Sequence, residues 1–327
     1  MMSATTVPAI EVNEIGGPEV LELTEIDVPE PGPGQVAVGV GAAGVNFIDI
    51  YQRSGVYPMA LPHVPGSEGA GSVLAVGAGV DDVAVGDRVA WESLPGSYAA
   101  VVAGPADRVV PIPDGVSVQQ AAAVMLQGVT AHYLAHDSYR ISDGDTVLVH
   151  AGAGGVGLLL TQIAVLRGAR VITTVSTAAK AELSTAAGAA EVLIGYDDVD
   201  GRVRDLTGGA GVHAVYDGVG KDTFDASLAS VRRRGTMVLF GGASGQVPPF
   251  DLQRLARSGS LTITRPTLAH FVAERAELLG RAADLFGWIR DGDLTVRIGA
   301  THPLADARIA HEDLAGRRTT GKVLLIP

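Results

Sequence analysis

The 327-residue chain contains no cysteine. Disulfides, thiolate nucleophiles and the thiolate ligands favoured by structural zinc are therefore excluded by composition. Aromatic residues are also scarce, with two Trp, six Phe and seven Tyr, whereas glycine reaches 43. That balance favours tight turns and close packing of helices on a sheet, hence an α/β architecture. Positive charge is short as well. The net charge is −12, and no run of Lys and Arg exceeds Arg232-Arg233-Arg234, so binding to a phosphate backbone is disfavoured. No basic region followed by an apolar stretch opens the chain, and no uninterrupted apolar run approaches the roughly 18 residues of a membrane helix. The expected location is cytoplasmic, with no membrane partner.

What the chain does have is apolar bulk. Hydrophobic residues make up 47% and charged residues 18%, enough to bury a large core, and the length suggests two domains, one of which the chain could enter twice. From Ala9 to about Val110 short alternating runs (Val36 to Val40, Gly71 to Val76, Arg88 to Trp91, Tyr98 to Val102) are separated by Gly and Pro turns. Pro29 to Gly34 is read as a stiff turn before the first long strand. This predicts a compact β-rich unit.

After Pro113 two Ala-rich helices are predicted, Ser117 to Leu126 and Thr130 to Ser138. Strands and helices then alternate. The strands are Thr146 to His150, Arg170 to Val175, Glu191 to Ile194, Ala214 to Tyr216, Thr236 to Phe240 and Leu261 to Thr264. The intervening helices are Val156 to Arg167, Ala178 to Ala187, Val199 to Leu206 and Thr223 to Ser230. Such alternation requires right-handed crossovers and a doubly wound parallel sheet. A longer helix, Phe271 to Arg290, and strands near Val296 to Ala300 and Lys322 to Ile326 close the chain.

Between the first of these strands and its helix runs Ala151-Gly152-Ala153-Gly154-Gly155-Val156-Gly157. Gly152, Gly154 and Gly157 have the spacing that allows a tight turn, close approach of backbone to a pyrophosphate, and close helix-sheet contact. The amides of Gly155 and Val156 lie at the helix start. In a chain so rich in glycine the same pattern would also suit a turn without a ligand; its placement after a strand and before an apolar helix favours a dinucleotide. The second strand ends at Ser176, where a site for NAD usually carries an acid for the ribose hydroxyls. Serine leaves room for a 2′-phosphate, and Lys180 one helical turn on can supply the compensating charge, which points to NADPH. The competing reading of Lys180 is an ordinary exposed helix lysine.

These motifs, with Gly16-Gly17-Pro18-Glu19-Val20-Leu21, Gly44-Val45-Asn46-Phe47-Ile48-Asp49 through Tyr51, Arg53-Ser54-Gly55 and Tyr57-Pro58, form a familiar series. Pro65-Gly66-Ser67-Glu68-Gly69-Ala70-Gly71, Gly86-Asp87-Arg88-Val89, Tyr216-Asp217-Gly218-Val219-Gly220 and Gly321-Lys322-Val323-Leu324-Leu325 continue it. Over nearly its whole length the chain resembles the zinc-independent NADPH:quinone oxidoreductase (zeta-crystallin-like) branch of the medium-chain dehydrogenase/reductase superfamily. The resemblance implies a discontinuous GroES-like catalytic domain, residues 1–128 and 267–327, a Rossmann NADPH-binding domain, residues 129–266, and a substrate cleft where they meet. Zinc-dependent relatives hold a catalytic metal through a Cys, a Gly-His-Glu segment and a further Cys or Asp. Here Gly66-Ser67-Glu68 stands at that segment and cysteine is absent, so no metal is expected.

By the same resemblance Asn46 and Tyr51 are the polar pair facing the nicotinamide and the acceptor. Read locally, Asn46 could instead cap a helix starting near Phe47, and Tyr51 could be an interior aromatic of that helix. Tyr196 joins Ser176 and Lys180 around the 2′-phosphate, although one residue is inserted between Lys180 and Tyr196 relative to the usual spacing. Thr130, Gly218, Val219, Phe240, Gly241, Gly242 and Arg317 are further cofactor contacts, with Arg318 an equal candidate beside Arg317. Among the histidines, His132 and His136 are one helical turn apart but lack a third ligand. His63 lies near the expected cleft, as a pH-sensitive group or a surface-loop residue.

The expected activity is transfer of reducing equivalents from NADPH to a quinone or another electron-poor acceptor, with hydrogen bonds from Asn46 or Tyr51 steadying the developing oxyanion. Reduction of an enone or enoyl thioester on the same scaffold is the enzymatic alternative. A non-catalytic NADPH-binding structural or regulatory protein is the other. The resemblance also implies a homodimer, with a tetramer open.

Overall fold

The computed structural model describes residues 6–28 and 30–327, so Pro29 of the expected stiff turn lies outside the described residues. Two compact units form, one from the chain up to Val129 together with Glu274–Pro327, the other from Thr130–Ala273. In the first unit the chain lays down β1 (Thr6–Glu11), β2 (Glu22–Asp27), β3 (Gln35–Val45), α1 (Phe47–Arg53), β4 (Glu68–Val76), β5 (Arg88–Trp91), β6 (Val101–Pro105) and β7 (Val110–Pro111). Helix α2 (Val118–Tyr133) follows. The second unit contains β8 (Thr146–Val149), α3 (Gly155–Leu166), β9 (Arg170–Val175), α4 (Ala178–Ala186) and β10 (Glu191–Ile194). It continues through α5 (Val199–Leu206), β11 (Val212–Asp217), α6 (Phe224–Ser230), β12 (Val231–Leu239), α7 (Gln253–Arg257) and β13 (Thr262–Thr264). The chain re-enters the first unit with α8 (Arg275–Asp291), β14 (Ile298–Pro303), α9 (Ala307–Ala315) and β15 (Lys322–Ile326).

In the first unit seven strands form one sheet in the order β14-β15-β3-β4-β5-β7, with β6 also paired to β3, and β1 and β2 form a separate hairpin. Only β14 and β15 run parallel. The returning strand β15 pairs antiparallel with β3, bringing Leu324 opposite Gly44, so Lys322 enters the same sheet as the Asn46 segment. Trp91, Leu94, Tyr98, Val38 and Leu325 lie in the core of this unit. The second unit is built on a six-stranded, wholly parallel sheet, order β10-β9-β8-β11-β12-β13. The order reverses between β8 and β11, and at such a switch point the carboxyl ends of the strands open a crevice for ligand.

Helices α7 and α9 were not among the expected elements, and three further features depart from them. The two helices expected on either side of Gly128 are one helix, α2, running directly into a π-helical turn at Leu134–Ser138. Glycine ordinarily weakens a helix interior. Here its missing side chain is needed, because a Cβ at Gly128 would lie 2.6 Å from Val124 Cγ2 and 3.1 Å from Leu285 Cδ1. The expected strand at Tyr98 to Val102 begins only at Val101; Tyr98 instead turns inward, fully buried, to join a polar network. Strand β12 starts five residues earlier than the expected Thr236, since Val231 pairs with Val212 across a bulge. Among the described residues no helix is long and apolar enough to cross a membrane.

Candidate functional site

At the carboxyl end of β8 the chain turns through Ala151, which adopts φ 53°, and Gly154, which caps α3. Gly152 and Gly157 are each required by a neighbour. A Cβ on Gly152 would lie 2.6 Å from Thr173 Cβ, and one on Gly157 would collide with the Ala151 carbonyl oxygen and lie 3.0 Å from Gly152 Cα. Gly154 is less constrained, with Ala151 O 3.2 Å from the added carbon. The first-turn amides of α3, from Gly155 to Gly157, have no intrahelical acceptor and share the positive end of the helix dipole. Such a helix start can hold a pyrophosphate.

On the neighbouring strand β9, Ser176 is exposed just past Val175, and Thr177 caps α4 by accepting the Lys180 backbone N–H at 3.3 Å. Lys180 is half-buried in the first turn of that helix. Tyr196 follows β10; its ring stacks on His150, centroids 6.0 Å apart, and it packs against the core of the unit. Gly218, Phe240 and Gly241 are packed together, since a Cβ on Gly218 would lie 2.8 Å from Phe240 Cζ and one on Gly241 would meet the Gly218 carbonyl. Val219 is buried, Gly242 is half-buried, and Thr130 is buried at the start of the unit. Arg317 belongs to the other unit, exposed at φ 55° past the end of α9, while Arg318 pairs with Asp313 at 2.8 Å.

The carboxyl end of β11 holds a residue that the motif reading quoted without a role. Asp217 is fully buried and accepts four groups: the amides of Val219 and Gly220 at 2.8 and 2.9 Å on Oδ1, the Thr223 hydroxyl, and the Ser227 hydroxyl at 2.6 Å on Oδ2. Ser227 in turn accepts from His150 Nε2 at 2.9 Å, and Thr174 Oγ1 lies 2.9 Å from His150 Nδ1. The Asp217 carboxylate thus fixes the backbone of Gly218 to Gly220 and ties it to the strand that carries the glycine turn. Burial lowers the His150 pKa, with Asp217 opposing that shift, so the imidazole acts as a neutral bridge.

In the first unit Asn46 occupies the cap position of α1, within a capping box completed by Asp49. Its backbone N–H donates to Asp49 Oδ2 at 2.8 Å, while its amide is drawn into a buried cluster. Lys322 Nζ donates to Asn46 Oδ1 at 2.7 Å and to Glu68 Oε2, and Asn46 Nδ2 donates to Glu68 Oε2 at 2.8 Å. Gln127 Nε2 reaches Asn46 Oδ1 at 3.3 Å, and the Leu126 amide donates to Glu68 Oε1 at 2.7 Å. Burial pulls the Lys322 pKa down and Glu68 opposes that shift. Tyr51, half-buried on α1, packs 6.2 Å from Phe47 and edge-on to Tyr57 at 5.4 Å.

Behind this cluster Tyr98 Oη donates to Asp49 Oδ2 at 2.9 Å and lies 3.1 Å from His311 Nε2, which donates to it. Burial holds His311 neutral, its pKa down at about 3, and raises Asp49 to about 7 against the hydrogen bonds from Asn46 and Tyr98. Lys322, Glu68, Gln127 and the Asp49-Tyr98-His311 chain are additions to the expected site. A sequence signal for them was limited to the motif residues Asp49, Glu68 and Lys322, the last two separated by 254 positions. The remaining histidines do not join either group. His132 and His136 stack at 4.1 Å, with His136 Nδ1 donating to the His132 carbonyl, and burial lowers the pKa of His63.

Nearby Glu92 is fully buried, with neither carboxylate oxygen in hydrogen-bonding geometry, and burial raises its pKa from 4.5 to about 7. An acid whose pKa is higher folded than unfolded stabilises the fold below its unfolded value and loses that contribution as pH rises through the folded one. Relative to wild type, Glu92→Gln is therefore expected to gain roughly 3 kcal/mol of stability between pH 4.5 and 8. Urea unfolding at both ends of that interval checks this; a difference between the two proteins that does not change with pH would refute it.

A parallel sheet with a reversal of strand order, a glycine turn at that reversal and an antiparallel β-rich partner unit define a two-unit dinucleotide-binding protein. Comparison narrows the class. Residues 32–114 match the alcohol dehydrogenase GroES-like domain and residues 155–283 the zinc-binding dehydrogenase domain. A quinone oxidoreductase of Pseudomonas aeruginosa is 46% identical over 321 residues, 97% of this chain and 99% of that one. A mycobacterial protein solved in complex with NADPH is 54% identical, with TM-score 0.96, covering 98% of this chain and 100% of that one. Escherichia coli quinone oxidoreductase, also solved with NADPH, is 43% identical with TM-score 0.96 over the same shares. The chain belongs to the zeta-crystallin-like quinone oxidoreductase branch of the medium-chain dehydrogenase/reductase superfamily.

Proposed function

We propose that this protein is an NADPH-dependent quinone oxidoreductase. The observation that carries the reading is the carboxyl edge of the parallel sheet, where a bare glycine turn on α3 is followed on β9 by Ser176 in place of an acid and by Lys180. The fit to NADPH is steric as well as electrostatic, because the turn that sets the first-turn amides of α3 closes only while Gly152 and Gly157, whose added Cβ atoms would meet Thr173 and the Ala151 carbonyl, lack side chains. NADPH supplies the hydride when bound. Gly154 to Gly157 hold the pyrophosphate, and Ser176, Lys180 and Tyr196 hold the 2′-phosphate. Thr130, Gly218, Val219, Phe240, Gly241, Gly242 and Arg317 position the rest of the cofactor.

The first unit acts as the catalytic domain and the second as the cofactor domain. Tyr51 Oη and Asn46 Nδ2 donate to the quinone oxygen as negative charge develops on it. The reduced acceptor is itself a weak acid, so solvent serves as its proton source. No metal takes part. The chain has no cysteine, and the Lys322 ammonium is the cation held by Asn46 and Glu68. The protein works as a cytoplasmic homodimer.

Loss of nicotinamide absorbance with naphthoquinone or phenanthrenequinone, but not with enones, is the expected result, from protein that carries no stoichiometric zinc. Tight NADPH binding without turnover on any acceptor would sink the enzymatic reading. Lys180→Ala is expected to weaken NADPH by about tenfold, the equivalent of roughly 1.4 kcal/mol, and to leave NADH nearly unchanged. Equal weakening of both cofactors would place the 2′-phosphate elsewhere.

A further inference from the structure

Lys322 is 1% exposed, lies on the returning strand β15, and reaches with its ammonium across to the segment that opens α1. A lysine so fully buried is costly unless its charge is paired and its hydrogens are bonded. Both conditions are met: Glu68, also fully buried, supplies the counter-charge, and Asn46 Oδ1 accepts at 2.7 Å. The arrangement has room because residue 44 is glycine. A Cβ there would lie 2.7 Å from Lys322 Cε and collide with Glu68 Oε2.

The pair also decides how Asn46 is oriented. An ammonium only donates and a carboxylate only accepts, so the atom facing Lys322 must be Oδ1 and the atom facing Glu68 must be Nδ2. One Nδ2 hydrogen is held firmly by Glu68 at 2.8 Å. The other faces Gly44 O at 3.3 Å, a weak bond that a better acceptor can displace. A cation donating to Oδ1 also draws electron density from the amide nitrogen and strengthens it as a donor.

We propose that Lys322 is a positioning residue for quinone reduction: bound to Asn46 Oδ1 and Glu68, it holds the Asn46 amide in the one orientation that offers a polarised N–H to the acceptor oxygen. The inference rests on the reading of Asn46 as a contact to the acceptor. It assigns the charge that an amide side chain lacks to a residue 276 positions away in sequence.

The test is a cycle of variants measured with naphthoquinone at saturating NADPH: Asn46→Ala, the charge-balanced double variant Lys322→Met/Glu68→Gln, and all three changes together. Lys322→Met alone leaves Glu68 buried and unpaired and is liable to unfold; the double variant removes both charges and keeps the comparison valid. The double variant is expected to bind NADPH with a Kd within about twofold of wild type and to keep its quinone KM, while kcat falls by about tenfold or more. Adding it to Asn46→Ala is expected to lower kcat no further, because both act through one amide. A double variant with wild-type kcat, or a loss that adds in full to that of Asn46→Ala, overturns the role of Lys322 while leaving Asn46 in place. Wild-type kcat in Asn46→Ala itself overturns the acceptor contact and the inference with it.

Discussion

Gly157→Ala is expected to weaken NADPH binding by about a hundredfold, equivalent to roughly 3 kcal/mol, and to lower the melting temperature at the same time. The added methyl group collides with the Ala151 carbonyl oxygen and lies 3.0 Å from Gly152 Cα, so backbone and not a flexible side chain must give way. Moving that turn displaces the first-turn amides of α3, and charge-assisted hydrogen bonds to phosphate are sensitive to such displacement. Gly154→Ala provides the contrast. Its nearest neighbour is Ala151 O at 3.2 Å, which a small shift relieves, so affinity should fall while the melting temperature stays close to wild type. Fluorescence titration of NADPH and calorimetry on both variants decide the matter; unchanged affinity in Gly157→Ala would remove the turn from the cofactor site.

Asp217→Ala is expected to cost about 4 kcal/mol of stability, the second large effect. The carboxylate accepts from the amides of Val219 and Gly220 and from the hydroxyls of Thr223 and Ser227. Truncation leaves these donors buried without an acceptor, and each such group costs on the order of 1–3 kcal/mol before the site relaxes. Asp217→Asn keeps one accepting oxygen and should lose less. Because the same bonds order Gly218 to Gly220, NADPH affinity should fall in Asp217→Ala even at temperatures where the variant is folded. Urea unfolding with a wild-type midpoint would show that the network carries no stability.

The differences between sequence reading and structure have particular physical causes. The glycine turn was legible because a strand, three spaced glycines and an apolar helix form one contiguous pattern, and the required backbone geometry is local. Ser176 and Lys180 lie about one strand further on, past the end of β9 and in the first turn of α4, where the strand-helix alternation put them. Asp217 stood in a quoted motif, but its four donors come from residues whose convergence depends on the β11-to-α6 turn. The break expected at Gly128 failed because propensity is a weak guide where a neighbouring side chain, here Leu285, occupies the space that a Cβ would fill. Asn46 was singled out by resemblance and, read locally, as a cap: it stands at the cap of α1, while its amide joins a buried cluster that neither reading described.

By itself the amino-acid sequence determined the absence of thiol chemistry, the β-rich and alternating halves of the chain, and the glycine turn between a strand and an apolar helix. These are matters of composition, period and short spacing, which survive without knowledge of the fold. Tertiary structure alone decided that Lys322, Glu68 and Asn46 share one buried hydrogen-bonded cluster. The pairing of β15 with β3 closes a loop of nearly the whole chain, and only that pairing sets an ammonium beside the amide 276 residues before it.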